Sequence, residues 1–228
     1  MIVTKNLIRT FVTGDIVTQV LKGIDFESKD GDFIAIMGRS GAGKSTFMYQ
    51  LSLLDSPTDG TITIDGVDTH TMPESKRVEF RLTYFGYVFQ DYALLPELTA
   101  LENVALPLLM QGKKRAKAYK EATTALERMG LGHRPNNLPS QLSGGEQQRV
   151  SIARAVAHKP KVLFADEPTA NLDNESSEAV MQIFKELNEE GQTIIMVTHE
   201  EVYARRAKRL IVIDDGRIKS EEKLHHKH

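Results

Sequence analysis

Apolar and polar positions divide the chain into segments of two different periods. Up to Asp30 the apolar runs are short and β-like, broken at Thr13-Gly14-Asp15 and at Asp30-Gly31. Phe33-Ile34-Ala35-Ile36-Met37 is apolar throughout, which predicts a strand buried on both faces, as in a parallel sheet. From Lys44 to Leu54 the apolar residues fall at helical spacing. Thr61-Ile62-Thr63-Ile64-Asp65 alternates before Gly66 and predicts a half-buried antiparallel strand. Phe85-Gly86-Tyr87-Val88-Phe89 is another strand candidate. From Leu94 to Gly130 the pattern turns helical. Thr99 with Glu102 forms a capping-box start, and Lys113 to Met129 is rich in good helix formers ahead of Gly130.

A loop at Asn136–Ser140 leads into a second stretch where helices and strands alternate. A helix is expected from just after Ser143 to near Lys159-Pro160, and another over Glu175 to Glu190. Lys161–Ala165 and Thr193–Val197 read as buried strands. Leu210–Ile213 and Arg217-Ile218 flank Asp215-Gly216, a hairpin signal. Strands alternating with helices predict an α/β fold with a mostly parallel core sheet, here with an antiparallel β portion. One domain is expected over residues 1–228, with 1–90 and 142–228 as core and 91–141 as an inserted helical subdomain.

The turn after the first buried strand carries the chemistry. Residues Gly38-Arg39-Ser40-Gly41-Ala42-Gly43-Lys44-Ser45, followed by Thr46, form a complete G-x-x-x-x-G-K-[ST] loop between a strand and a helix. Small residues let backbone N–H groups wrap a phosphate at the positive end of the helix. Lys44 adds a full charge and Ser45 a hydroxyl suited to Mg²⁺. This predicts an α/β P-loop nucleotide-binding protein. Asp166-Glu167 ends another buried strand. One carboxylate there suits Mg²⁺, and the next suits a water. Leu142-Ser143-Gly144-Gly145-Glu146 pairs a capping box with two glycines in one helical turn. Glycine there costs on the order of 1 kcal/mol per residue, a cost that makes sense if backbone must approach an anion.

Composition removes several alternatives. With 29 Lys+Arg against 31 Asp+Glu, the net charge of −2 argues against a nucleic-acid partner. There is no cysteine, so disulfides, thiol nucleophiles and thiolate metal sites are excluded. The N-terminus has no signal-peptide hydrophobic region, and no apolar run reaches the roughly 18 residues of a membrane span. Any membrane role would therefore need a partner. The histidines at 225, 226 and 228 read as a polar tail rather than a metal site.

In this order, the motifs resemble the nucleotide-binding subunit of ATP-binding-cassette (ABC) transporters across nearly the whole chain. Gln90 matches the glutamine loop, Ser143–Gln147 the signature, and Val162–Asp166 with Glu167 the second nucleotide motif. Asn171-Leu172-Asp173 matches the D-loop and His199 the switch histidine. Leu94–Val104 and Phe164–Asp173 look like the branch of lipoprotein-release and macrolide-export ATPases. Phe11 stands where that family usually has Tyr, and Ala170 where it has Gly.

The resemblance implies a cytoplasmic ATPase, peripheral on the inner face of the cell membrane. It would drive export or extraction of a lipoprotein, macrolide or antimicrobial peptide through a separate permease. A regulatory mechanotransmission ATPase of the cell-division type is the rival. ATP and Mg²⁺ are implied. Phe11 would stack on adenine, the alternative being core packing. Lys44 and the loop 38–46 would hold phosphates. Ser45, Gln90 and Asp166 would serve Mg²⁺, Glu167 would polarise water, and His199 would contact the γ-phosphate. Ser143, Gly144 and Gly145 would reach ATP on the other subunit of a head-to-tail homodimer. The permease is expected to dock between Gln90 and Met110.

Overall fold

A computed structural model describes residues 1–224, and the histidine tail expected to be polar lies outside them. The chain divides into two compact units. The first comprises Met1–Arg81 and the chain from Gly191 onward; the second is Leu82–Glu190.

In the first unit, β1 (Ile2–Thr13) and β2 (Ile16–Glu27) form a long antiparallel ribbon around Gly14. β4 (Asp59–Ile64) pairs with β1, and β5 (Val67–Asp68) with β4, giving the order β2-β1-β4-β5. The β-like runs near the N-terminus are thus two strands of 12 residues each, bent by register shifts at Asn6 and near Arg9. β3 (Phe33–Met37) lies between β8 (Thr193–Val197) and β9 (Arg209–Asp214), parallel to both. β10 (Arg217–Lys223) returns antiparallel on β9 around Asp215-Gly216, as the hairpin signal predicted. All five residues of β8 are buried, and so are the first four of β3. That accounts for their unbroken apolar runs. Helix α1 (Lys44–Leu51) follows β3 and packs Phe47 edge-on against Phe26 of β2, ring centroids 5.3 Å apart.

Helix α2 (Glu74–Tyr84) was not legible in the sequence. It has no buried residue, so no apolar stripe marks it. It is held instead by charge: Arg81 reaches Leu53 O and Glu74, and Arg77 reaches Ser56.

In the second unit, β6 (Phe85–Val88) and β7 (Val162–Asp166) are parallel, with Val88 opposite Ala165. Phe85 and Phe164 meet edge-to-face at 5.1 Å. Helices α3 (Ala100–Met110), α4 (Arg115–Arg128), α5 (Gly144–Val156) and α6 (Asn174–Glu189) complete it. The capping box at Thr99 and Glu102 is present. α5 ends at Val156, a few residues before the expected end, and Lys159, at φ 58°, turns the chain out of the helix with its N–H donating to Val156 O at 2.9 Å.

Asn103 is the polar pin of this unit. It is fully buried on α3, and its Nδ2 donates to Leu95 O, Leu98 O and Thr99 O at 2.9–3.1 Å. Its Oδ1 accepts from Leu95 N at 2.8 Å. The segment from Leu95 to Thr99, which has no regular structure, is tied to the helix through this amide and, at Thr99, through the capping box. Asn103→Leu should therefore destabilise the protein by about 2–4 kcal/mol, because backbone groups would be left unpaired. Urea unfolding would measure the loss, and proteolysis near Leu95 should accelerate. An unchanged midpoint would mean that the segment is held by other contacts.

Candidate functional site

The phosphate loop begins where β3 ends. Gly38 is pressed against β9: a Cβ there would lie 2.2 Å from Ile213 O, so only glycine fits. Gly43 caps α1 at φ 101° and leaves room for β2, with Val20 O 3.2 Å from where its Cβ would be. The β9–β10 turn buttresses the loop from below. Gly216 N–H donates to Ala42 O at 3.1 Å, and Gly216 O accepts from Lys22 N at 2.9 Å. Within the loop, Ala42 N–H donates to Arg39 O at 3.1 Å. Lys44 curls over the same turn, its Nζ donating to Arg39 O at 3.2 Å. A cation is thus poised over the loop at the amino end of a helix, the arrangement an anion requires.

Strand β8 brings His199 to the same edge. β8 is parallel to β3 with Val197 opposite Ile36, so both strands end together. His199 follows, exposed, one residue beyond the buried Thr198, whose Oγ1 accepts from Glu200 N at 3.1 Å. Ligand groups of parallel sheets gather at this carboxyl edge. Phe11, on β1, is 40% exposed and is not a core residue.

The second unit holds the other candidates in a parallel arrangement of its own. Because β6 and β7 run side by side, Gln90 and Asp166-Glu167 emerge at one carboxyl edge. Asp166 is buried at the end of its strand. Glu167 adopts φ 47°, the left-handed region that costs a non-glycine residue on the order of 1 kcal/mol. The following residues turn at once, Ala170 N–H donating to Glu167 O at 3.2 Å. Gln148 of α5 fixes this turn, donating to Pro168 O at 2.7 Å.

Gln90 is not isolated. Its carbonyl accepts from Asn171 Nδ2 at 3.0 Å, and the hydroxyl of Tyr92 donates to Asn171 O at 3.3 Å. Tyr92 and Ala93 are both left-handed, at φ 64° and 48°. Their carbonyls converge on one guanidinium: Arg154 donates to Ala93 O at 2.6 Å and to Tyr92 O at 2.9 Å. Burial pushes the Arg154 pKa down from its usual value, yet arginine stays charged and keeps its fork of donors. Sequence reasoning missed Arg154, Gln148 and the side chain of Asn171. Their targets are backbone carbonyls distant in sequence, which leave no local pattern.

Ser143 caps α5, accepting from Glu146 N at 3.2 Å while Glu146 accepts from Ser143 N at 2.9 Å. That backbone N–H, more than any neighbouring charge, holds the Glu146 carboxyl below its usual range. Gly145 has a packing reason beyond any ligand: a Cβ there would meet Ser176 Oγ at 2.5 Å. A Cβ on Gly144 would meet the Tyr92 hydroxyl at 2.9 Å. Asp173 caps α6 through Ser176 N at 2.8 Å.

Ser45, Gln90 and Asp166 would present hydroxyl, amide and carboxylate oxygens. Hard oxygen donors with a single carboxylate fit Mg²⁺ that keeps most of its coordination for phosphates and water. Among the described residues, no cluster of three or more His, Cys, Asp or Glu could hold a metal by itself.

The ABC transporter family pattern matches residues 21–170. The chain is 46% identical to the lipoprotein-releasing system ATP-binding protein LolD of Syntrophus aciditrophicus, over 96% of this chain and 98% of that one. It is 48% identical to the macrolide export ATP-binding/permease protein MacB of Aggregatibacter actinomycetemcomitans, over 95% of this chain but 34% of that protein. It superposes with a TM-score of 0.92 on the ATP-binding cassette MJ0796, solved as a dimer in a post-hydrolysis state bound to ADP and Pi. The identity there is 40%, and all of both chains is covered.

Arg154→Met removes the guanidinium and leaves two left-handed carbonyls unpaired. Hydrogen exchange of the amides from Gln90 to Leu95 should accelerate by about tenfold or more, equivalent to one charge-assisted hydrogen bond. Unaltered exchange there would show that Arg154 does not hold this loop.

Proposed function

The chain belongs to the ABC transporter family as an ATP-binding, ATP-hydrolysing subunit, and from that premise we propose how its residues work and what they drive. The observation that carries the reading is the glycine loop at the amino end of α1, with Lys44 folded over it and His199 at the same sheet edge.

Lys44 and the backbone of residues 38–46 bind the phosphates of ATP. Phe11 stacks on adenine. Ser45, Gln90 and Asp166 would hold Mg²⁺, which would supply positive charge against the phosphate oxygens. Glu167 accepts a hydrogen bond from the attacking water and aligns it with the γ-phosphorus. Its left-handed backbone aims the carboxylate differently from a residue that simply continued β7. His199 contacts the γ-phosphate. Phosphoryl transfer needs mostly positioning and charge stabilisation, so a site with one wall missing is slow. Ser143, Gly144 and Gly145 supply that wall to ATP on a second copy, in a head-to-tail homodimer.

Residues 91–141 act as a helical subdomain on a core of 1–90 and 142–228. Among the described residues no helix is long and apolar enough to cross a membrane. We place the protein on the cytoplasmic face of the cell membrane through a separate permease. The permease docks on the segment from Gln90 to Met110, where Leu95, Leu109 and Met110 are exposed while Val104 and Leu108 are buried. The similarity to proteins of lipoprotein release and macrolide export supports extraction or export of a substrate of the lipoprotein, macrolide or antimicrobial-peptide class, rather than signalling without transport.

Glu167→Gln should lower steady-state hydrolysis by about 100-fold or more while preserving ATP binding. With ATP it should elute as a dimer in size-exclusion chromatography. Turnover within a few-fold of the parent would remove Glu167 from its assigned role. Ser143→Arg should leave nucleotide binding to the monomer intact and abolish hydrolysis. Loss of binding by the monomer would place the signature in its own subunit's site and contradict the head-to-tail arrangement.

A further inference from the structure

We propose that Arg9, clamped by Asp55, is a positioning residue that fixes the adenine platform at Phe11 relative to the phosphate loop. The inference rests on Phe11 stacking on adenine, and adds what holds it there.

The platform stands on a weak part of the fold. β4 pairs with β1 only as far as Ile8, opposite Asp59. Beyond that point β1 and β2 continue as a two-stranded ribbon, and Val12, Ile16 and Val17 are each more than 65% exposed. A lone two-stranded ribbon is marginally ordered in water. Phenylalanine offers no polar atom by which its ring could be fixed. The ring must be held by something else if it is to present a constant face to a base.

Arg9 meets that need. Its guanidinium carbon lies 4.4 Å from the centroid of the Phe11 ring, a cation–π contact. The guanidinium is itself fixed by Asp55: Nη2 donates to Oδ1 at 2.9 Å, and Nε lies 2.7 Å from Oδ2, an ionic contact not aligned as a hydrogen bond. Asp55 is fixed in turn. Its Oδ2 accepts from Gln50 Nε2 at 2.8 Å and its Oδ1 from Ser56 N at 2.7 Å. Gln50 is fully buried in α1, the helix that begins at Lys44. One path therefore runs from the last turn of α1, the helix that starts at the phosphate loop, through Gln50, Asp55 and Arg9 to the Phe11 ring. A second strap, Thr10 N to Thr58 Oγ1 at 2.9 Å, holds the backbone of the ribbon but not the ring. The span between base and triphosphate is set by this path.

The test separates base from phosphate binding. Affinities for ATP and for inorganic tripolyphosphate, both with Mg²⁺, would be measured by calorimetry. The proteins are the parent, Arg9→Gln, Asp55→Asn, Phe11→Ala and the Arg9→Gln/Phe11→Ala double variant, with thermal unfolding as a check on folding. Asp55→Asn keeps the side-chain volume and serves if Arg9→Gln does not fold. Arg9→Gln and Asp55→Asn should weaken ATP by about 3- to 10-fold and leave tripolyphosphate unchanged. In steady state KM should rise with kcat nearly constant, because the contact serves ground and transition states alike. In the double variant the Arg9 effect should vanish, since there is no ring left to position. Equal weakening of ATP and tripolyphosphate would overturn the proposal, making the pair a support of the phosphate loop. So would additive effects in the double variant, or unchanged ATP affinity in Arg9→Gln when Phe11→Ala weakens it. Unchanged ATP affinity in Phe11→Ala would remove the platform itself, a failure distinct from that of the clamp.

Discussion

Backbone amides at the start of α1 can face an anion only if the turn before them is held open, and much of the first unit serves to hold it. Gly38 must touch Ile213 O, Ala42 O must take the Gly216 N–H, and Gly43 must clear Val20. Each contact comes from a different strand, so β2, β3, β9 and the β9–β10 turn have to be in register before the loop exists. The apolar runs of β3 and β8 supply that register, since both are buried almost throughout and leave their ends level. The loop is thus a consequence of sheet packing rather than an ornament on it.

The second unit solves a different problem. Three non-glycine residues, Tyr92, Ala93 and Glu167, sit in left-handed backbone beside the candidate catalytic positions. Such conformations persist only when neighbours over-determine them. Here the neighbours are side chains of α5 and the Asn171 turn: Arg154 for Tyr92 and Ala93, Gln148 for the turn after Glu167, Asn171 for Gln90. Gly145 lets α5 approach Ser176 closely. The helix that begins with Ser143 therefore also carries the groups that shape the loops around Gln90 and Glu167. A shift of α5 would be felt by both loops, which is a physical route by which events at Ser143 could reach the hydrolytic groups.

Much of this was legible because it is local. The phosphate loop, the capping boxes at Thr99 and Ser143, the strands ending at Met37, Asp166 and Val197, and the Asp215-Gly216 hairpin each have their cause within a few residues. What stayed hidden has its cause elsewhere in the chain. α2 has no buried face and depends on Arg77 and Arg81 reaching residues 53–56. The full length of β1 and β2 was masked by polar residues on an exposed ribbon. Arg154 and Arg9 look like ordinary surface cations until their partners, 61 and 46 positions away, are known. The glycines at 144 and 145 suggested an anion, and the structure adds a steric demand from Tyr92 and Ser176 that no spacing rule conveys.

The central claim is that one copy of the chain holds ATP and a second copy completes the site that hydrolyses it. Phosphate release per subunit, measured on the purified chain across protein concentrations at saturating Mg-ATP, tests this most directly. Specific activity should rise in proportion to protein concentration when the dimer is scarce and level off when it saturates. A specific activity independent of concentration, in a protein that sedimentation shows to be monomeric throughout, would contradict the account.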